Sequence, residues 1–529
     1  MKIDKLNPKK AFNSFSINFV TILVTIILIA LSICTIFIRA NFRNTSYTDY
    51  NEGLYYTINF LPIILIGVII LLGIFYLLYT LLKKINIKIL LAISLAIITI
   101  FSLFWVNFVQ APVRADQKFV LAAAINFKNN NFDFLEEGKY LFLHPLQLGI
   151  VFFLEFIITI FSNNSPLLIQ NLNIVFVLIS FYLMFKITNL LYQDEKINKL
   201  VLIIFPSFLV LPMLSILVYG NIFGFTFSLL AIFLLLLYYK NRKIKYLIFV
   251  SFSLAFSIIL KSNYEIIMIG IIISLVLDFI QKFDKRNLLI VLLILVLCLC
   301  SNKAILKFAE LRTGKEINEG IPMISYIAMG IQKPATRNAG WYNESKNVEA
   351  IYAQNNYNKN ETTKESIEII KNRLNDFLDS PISFVKFYAD KILSTWCEPA
   401  FQTIWTAEPL DEFENNSTEY KNYVENNKVL QSIFHGKLHS FLDFYLNIFN
   451  ILIFITASIS TIYNIKNKKF NEQNFVLLLC FLGGFLFHIL WETKCIYVIP
   501  FYFLLLPSAA NGFEILFELI NKKINIERN

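Results

Sequence analysis

Thirteen stretches of this sequence are almost wholly apolar and close to the ~20 residues a helix needs to cross the hydrocarbon of a bilayer. They lie at about 17–38, 60–82, 87–108, 144–161, 166–190, 198–218, 222–239, 245–262, 264–281, 287–303, 441–464, 472–490 and 495–517. In lipid every backbone polar group has to be paired inside its own element, so runs of this length read as helices. The expected fold class is an all-α polytopic membrane protein with about 12–13 transmembrane helices. Hydrophobic residues make up 57% of the chain and charged residues 16%, more apolar sequence than one soluble core absorbs. The first run is long and has no small-residue cleavage site after it, so it reads as a retained anchor.

The net charge of +10 raises the question of a nucleic-acid partner. The hydrophilic segment 304–440 holds 15 Lys and Arg against 18 Asp and Glu, so the positive surplus lies beside the spans. That is the signature of cytoplasmic loops and not of a nucleic-acid surface. The basic clusters are Lys2 to Lys10, Lys83/Lys84/Lys88, Lys240/Arg242/Lys243/Lys245, Lys282/Lys285/Arg286, Lys466/Lys468/Lys469 and Lys522/Lys523/Arg528. With these on one side, segments 109–143 and 304–440 both fall on the other. Four apolar runs then separate residue 143 from Lys240, one too many. The run 198–218 contains Pro206 and Pro212 and is expected to be re-entrant, the alternative being a fifth crossing that the hydropathy pattern hides. The six cysteines, Cys34, Cys298, Cys300, Cys397, Cys480 and Cys495, have neither the spacing of a metal site nor that of a disulfide framework, and they read as small apolar packing residues.

Segment 109–143 carries Arg114, Asp116 and Gln117 where the third span emerges. Phe119, Val120, Ala123, Ala124 and Phe127 then share one helical face, as in a helix lying on the membrane surface. A carboxylate in that position can serve as a general base or hold a divalent metal ion, or be only an interfacial acid. In segment 304–440, Ile367, Ile370, Leu374 and Phe377 and then Ile382, Val385 and Tyr388 predict two helices broken at Pro381. No Gly-rich phosphate loop, paired-His zinc motif or Ser-centred nucleophile elbow occurs, which argues against a nucleotide-sugar donor.

Asp116 after a span, a surface helix rich in Ala, and Tyr140 followed by His144-Pro145-Leu146-Gln147 together resemble the first outer loop of GT-C fold glycosyltransferases. That group includes the protein O-mannosyltransferases (glycosyltransferase family 39) and the aminoarabinose transferases. Val218-Tyr219-Gly220-Asn221, Leu260-Lys261-Ser262-Asn263, Met329-Gly330, Gly340-Trp341-Tyr342-Asn343 and Trp491-Glu492-Thr493-Lys494 with Tyr497 follow in the same order. Many members have Asp-Glu where this chain has Asp116-Gln117, and a late Arg-rich motif is reduced to Lys494 and Tyr497.

The resemblance implies a GT-C-like bundle with a surface helix in the catalytic outer loop. Its implied activity is an inverting transfer of sugar from a polyprenyl-phosphate donor to a glycan, glycolipid or protein, at the outer face of the cell membrane. It implies Asp116 as the catalytic base, and Arg114, Lys261 or Lys494 as the phosphate clamp. Gln117, Tyr140, His144, Gln147, Tyr219, Asn221, Asn263, Trp341, Glu492 and Tyr497 are the expected substrate contacts. The expected organisation is a two-span extension (1–86), a transmembrane core (87–303), an outer domain (304–440) and the last spans (441–529). A surface-polysaccharide polymerase or ligase, or a lipid-linked oligosaccharide flippase, is the competing reading, although no internal repeat of the transporter kind is visible.

Overall fold

The computed structural model describes residues 8–42, 52–343, 346–409, 417–467 and 474–527. The basic residues Lys2, Lys5, Lys468, Lys469 and Arg528 lie outside the described residues. The protein is all-α and polytopic. Among the described residues, eight helices are long and apolar enough to cross a bilayer: Phe12–Phe37, Leu61–Leu82, Ile87–Val109, Pro166–Tyr192, Asn221–Asn241, Ser262–Lys282, Lys285–Thr313 and Lys437–Asn467. Two further spans are bent, Glu195–Ser207 with Val210–Ile216 by 43° and Cys495–Phe503 with Leu506–Lys523 by 58°. Three shorter apolar helices, Pro145–Ile160, Ile244–Leu260 and Phe475–Leu490, complete the thirteen runs. Side chains such as Ile66, Ile69, Leu289 and Leu299 are more than half exposed, as expected of a surface that faces lipid.

Side-chain bonds settle which run fails to cross. Lys199 at the start of the Pro-interrupted run donates to the Lys83 carbonyl (2.6 Å), at the basic end of the bundle. Val218 at its far end donates its N–H to Gln117 (2.9 Å), beside Asp116. That run therefore traverses the bundle as a broken span, with Pro206 and Pro212 flanking the break, and is not re-entrant.

The exception is Leu148–Ile160. Its 13 residues make a helix of about 20 Å, short of the ~30 Å hydrocarbon core. It packs along Asp116–Lys128, and Lys128 donates to the Ile158 carbonyl (3.2 Å) near its end. The next helix, Pro166–Tyr192, begins on that same face, where Gln170 donates to the carbonyls of Ala111 (2.9 Å) and Ile216 (3.0 Å). Glu155 in its middle is not adrift in lipid. Arg312 grips it through two nitrogens, at 2.6 and 2.5 Å.

The first two spans flank a two-stranded antiparallel ribbon, β1 (Ile38–Phe42) and β2 (Leu54–Ile58), paired Ile38 to Ile58 through Phe42 to Leu54. They pack against the last spans, chiefly Lys437–Asn467. At Gly67 a Cβ would collide with Ile448 of that helix. The segment after Thr313 is built from short helices and two longer ones, Lys359–Asp379 and Pro381–Trp396, broken at Pro381 as its sequence predicts. The buried face is not the predicted one, however. Phe377 and Phe387 are inside, while Leu374, Ile382 and Val385 are exposed.

Impermeant thiol labelling tests the threading. In a background with the native cysteines replaced, Asn129→Cys and Asn163→Cys should label from the same side and Gln193→Cys from the other. Opposite labels at 129 and 163 would show that Leu148–Ile160 crosses.

Candidate functional site

At the end of the bundle opposite the basic clusters, the helix ends and the segment after Thr313 enclose a cavity of about 1270 Å³. Asp116 enters it from an unusual turn. Ile87–Val109 ends on Gln110 in the left-handed region (φ 53°), Pro112 prevents its continuation, and Ala115 adopts φ 50°, ψ −134°. A non-glycine residue in that conformation costs of order 1–3 kcal/mol, strain of a kind that gathers at functional sites. Its result is that Asp116 begins the helix Asp116–Lys128 with an exposed side chain lining the cavity. Val120, Ala123, Ala124 and Phe127 are buried as expected, but Phe119 leaves that face and stacks on Tyr140 at 5.0 Å in the cavity wall.

Lys261 lies across from this helix, just after Ile244–Leu260. Its ammonium sits 4.2 Å from the centre of the Tyr219 ring and 5.9 Å from that of Tyr497. Among the described residues no carboxylate makes an ion pair with it. Loss of solvent lowers its pKa to about 8, against the opposing pull of Asp116 and Glu492. The close approach of Tyr219 depends on Gly220, where a Cβ would collide with the Leu260 carbonyl. Burial raises Glu492 to about 7, with Lys494 pulling it down and Asp116 pushing it further up, so near neutral pH this carboxyl is held partly protonated. His144 bridges Tyr326 (Nδ1, 3.1 Å) and Glu349 (Nε2, 3.2 Å).

Ten of the fourteen residues singled out in the sequence line this cavity: Asp116, Tyr140, His144, Gln147, Tyr219, Lys261, Asn263, Glu492, Lys494 and Tyr497. The other four serve the scaffold. Arg114 spends its guanidinium on the carbonyls of Trp405 (2.7 Å), Thr406 and Glu408 (2.9 Å) and lies over the Trp405 ring, so it is not placed to clamp a phosphate. Gln117 anchors Val218. Asn221 is buried and its carbonyl accepts the Tyr264 hydroxyl. Trp341 is fully buried with its indole N–H on Ser394 (3.1 Å), and the neighbouring Tyr342 reaches the cavity in its place.

Sequence reasoning missed Glu52. It is buried at the cavity edge, 2.7 Å from Lys494, 3.2 Å from Arg337 and 2.7 Å from the Gln402 amide that donates to it. Burial favours its neutral form, yet the two cations prevail and hold its pKa below the usual value. Tyr326 and Glu349 were also missed. The one available signal for Glu52 was sidedness, because the loop between the first two spans falls on the same face as Asp116. Among the described residues no three His, Cys, Asp or Glu side chains converge as a metal-binding group.

The model of a family described as conserved hypothetical integral membrane protein matches residues 11–512. A search of curated proteins gives no significant match. Two solved structures of an oligosaccharyltransferase from Archaeoglobus fulgidus are similar, one tethered with an acceptor peptide containing the NVT sequon via a disulfide bond and one in complex with Zn and sulfate. Both are 12% identical, with TM-scores of 0.41 and 0.40, over 84% and 82% of this chain and 51% and 50% of theirs. The chain spans about half the length of those structures.

Glu52→Ala strips the counter-charge from two cations, and breaking a buried ion pair in this way costs about 3–5 kcal/mol. Thermal unfolding in detergent should show it, and a double-mutant cycle with Lys494→Ala should be strongly non-additive. Additive effects would mean that the pair is not coupled.

Proposed function

The chain belongs to this family of conserved integral membrane proteins, and we propose that it is an inverting glycosyltransferase of the GT-C kind. On this reading it takes sugar from a polyprenyl-phosphate donor at the extracytoplasmic face of the cell membrane and passes it to an acceptor hydroxyl. The observation that carries the reading is Asp116 and the unpaired Lys261 on the wall of one large cavity at the ends of the spans. A base and an anion clamp are the two groups this transfer requires.

The acceptor hydroxyl attacks the anomeric carbon and Asp116 takes its proton. The bond from that carbon to the phosphate oxygen breaks on the opposite side, and the phosphate leaves with the electron pair. Lys261 holds the charge that develops there, and an ammonium shielded from water acts strongly on it. Of the three cations considered as clamp, Arg114 is committed to backbone carbonyls and Lys494 to Glu52, which leaves Lys261. Glu492, Asn263 and the aromatic faces of Phe119, Tyr140 and Tyr326 are the contacts for the sugar rings.

Asp116→Asn should lower the rate by roughly 10²- to 10⁴-fold while the protein still accumulates in the membrane. The assay is release of free polyprenyl phosphate from a panel of polyprenyl-phosphate sugars, with and without a chelator, and full activity in this variant would sink the assignment. Lys261 gives a pH signature. A lysine with a lowered pKa is charged below about 8 and neutral above it, so the KM for donor should rise as pH passes about 8. Lys261→Arg keeps its charge and should move that rise to higher pH; an unshifted profile would remove Lys261 as the clamp.

A further inference from the structure

Lys391 lies within Pro381–Trp396 and is only 1% exposed, a burial that lysine almost never reaches without a carboxylate to pair it. Among the described residues it makes no ion pair. Its Nζ donates instead to two backbone carbonyls, those of Gly330 (2.5 Å) and Trp491 (2.7 Å). The two carbonyls belong to distant parts of the chain, the end of Met323–Gly330 and the start of the 491–494 loop. Room for the lysine comes from Gly340, where a Cβ would collide with its Cε and Nζ.

The loop that Lys391 holds is extended, with Trp491 at φ −81°, ψ 166° and Lys494 at φ −147°, ψ 154°. Side chains of an extended segment point alternately to opposite sides. Thr493 is buried, and its hydroxyl meets that of Thr395 (3.3 Å), one turn along from Lys391 on the same helix. Glu492 and Lys494 turn the other way and line the cavity. The loop's own N–H groups are used in the same contact: Glu492 donates to the Tyr326 carbonyl (3.3 Å) and Thr493 to the Gly340 carbonyl (2.9 Å). Without the Lys391 amine, the Gly330 and Trp491 carbonyls would face each other in a buried place with no donor between them. The loop escapes that penalty by moving away.

We propose, on the reading of this cavity as a glycosyl-transfer site, that Lys391 is a positioning residue: it fastens the 491–494 loop to the segment after Thr313 so that Glu492 meets the sugar. Lys391 touches no substrate itself, because its amine is spent on the two carbonyls and its side chain is not part of the cavity wall. A reacting group displaced by about 1 Å can react roughly 10²-fold more slowly, so the seat of the loop governs the rate and not only binding. The phosphate clamp, Lys261, follows Ile244–Leu260 and lies outside this set of bonds.

The test uses the full-length protein in detergent. In the folded wild type the Glu492 and Thr493 amides should exchange in D2O as slowly as those of Pro381–Trp396. Lys391→Met keeps the bulk and removes the donor, and should speed those two amides by about tenfold or more. Per folded molecule, the same variant should lose about 10²-fold in kcat for whichever polyprenyl-phosphate sugar the wild type consumes, with donor KM changed less than about threefold. A merely unstable variant would give fewer active molecules with an unchanged kcat. Lys391→Met combined with Glu492→Gln should lose far less than the product of the two single losses. Wild-type amides at 492 and 493 that exchange like a free loop would overturn the proposal even if the variant fails to fold. So would a normal kcat in Lys391→Met, a loss confined to donor KM, or a double variant that loses the full product. If the wild type consumes no such sugar, the glycosyltransferase reading fails, and amide exchange alone still decides whether Lys391 fastens the loop.

Discussion

A charge in or beside hydrocarbon is tolerable only when something in the protein neutralises or solvates it, and this condition shapes the molecule from the inside. Asp278 is held by Arg242 (2.5 Å), Lys282 (2.7 Å) and Asn287 (2.8 Å) at the basic end. Glu155 is gripped by Arg312, and Glu514 is met by Lys196 at 3.0 Å. Glu52 answers two cations at once. Against that background Asp116 and Lys261 stand out, because among the described residues neither makes an ion pair and both line the same cavity. What remains unpaired after the bundle has satisfied itself is what is available for chemistry.

The same condition explains what could be read from the sequence. Hydropathy requires only the local chain, so all thirteen apolar runs became helices. Charge placement gave the parity conflict, and it demanded one run that does not cross. Proline content then pointed to the wrong one. Two prolines bend a helix without preventing it from traversing, whereas a run of 13 helical residues is too short to do so. Helix length was the better arbiter, and it was obscured because the apolar stretch 144–161 includes residues that turn the chain before the helix begins.

Arg114 and Trp341 show where local reading stops. Each belongs to a stretch that resembles a catalytic motif, and each looked suited to phosphate or sugar. Their positions are decided by partners far along the chain, the carbonyls near residue 406 for one and Ser394 for the other. The glycines of the same motifs have a reason that spacing does not reveal. A Cβ at Gly330 would strike the backbone of Trp491 and Glu492, so that glycine lets the 491–494 loop approach the roof of the cavity. Thr493 seals the contact by donating its N–H to the Gly340 carbonyl at 2.9 Å.

The cavity therefore cannot be assigned to one part of the chain. Asp116 and Lys261 come from its first half, Arg337 and Glu349 from the segment after Thr313, Glu492 and Lys494 from the last loop, and Glu52 from the ribbon between the first two spans. Residues 87–303 alone would hold Asp116 and Lys261 but neither the 491–494 loop nor the wall that closes over it. Lys494 and Arg337 are both cationic and both close to Glu52, so bringing the last loop against the roof without the ribbon would set two like charges together in a desolvated place. Such charges attract only through the anion between them. Packing of the first two spans onto the last ones delivers that anion, which makes this N-terminal pair of spans, remote in sequence from Asp116 and Lys494, a condition for the cavity to close.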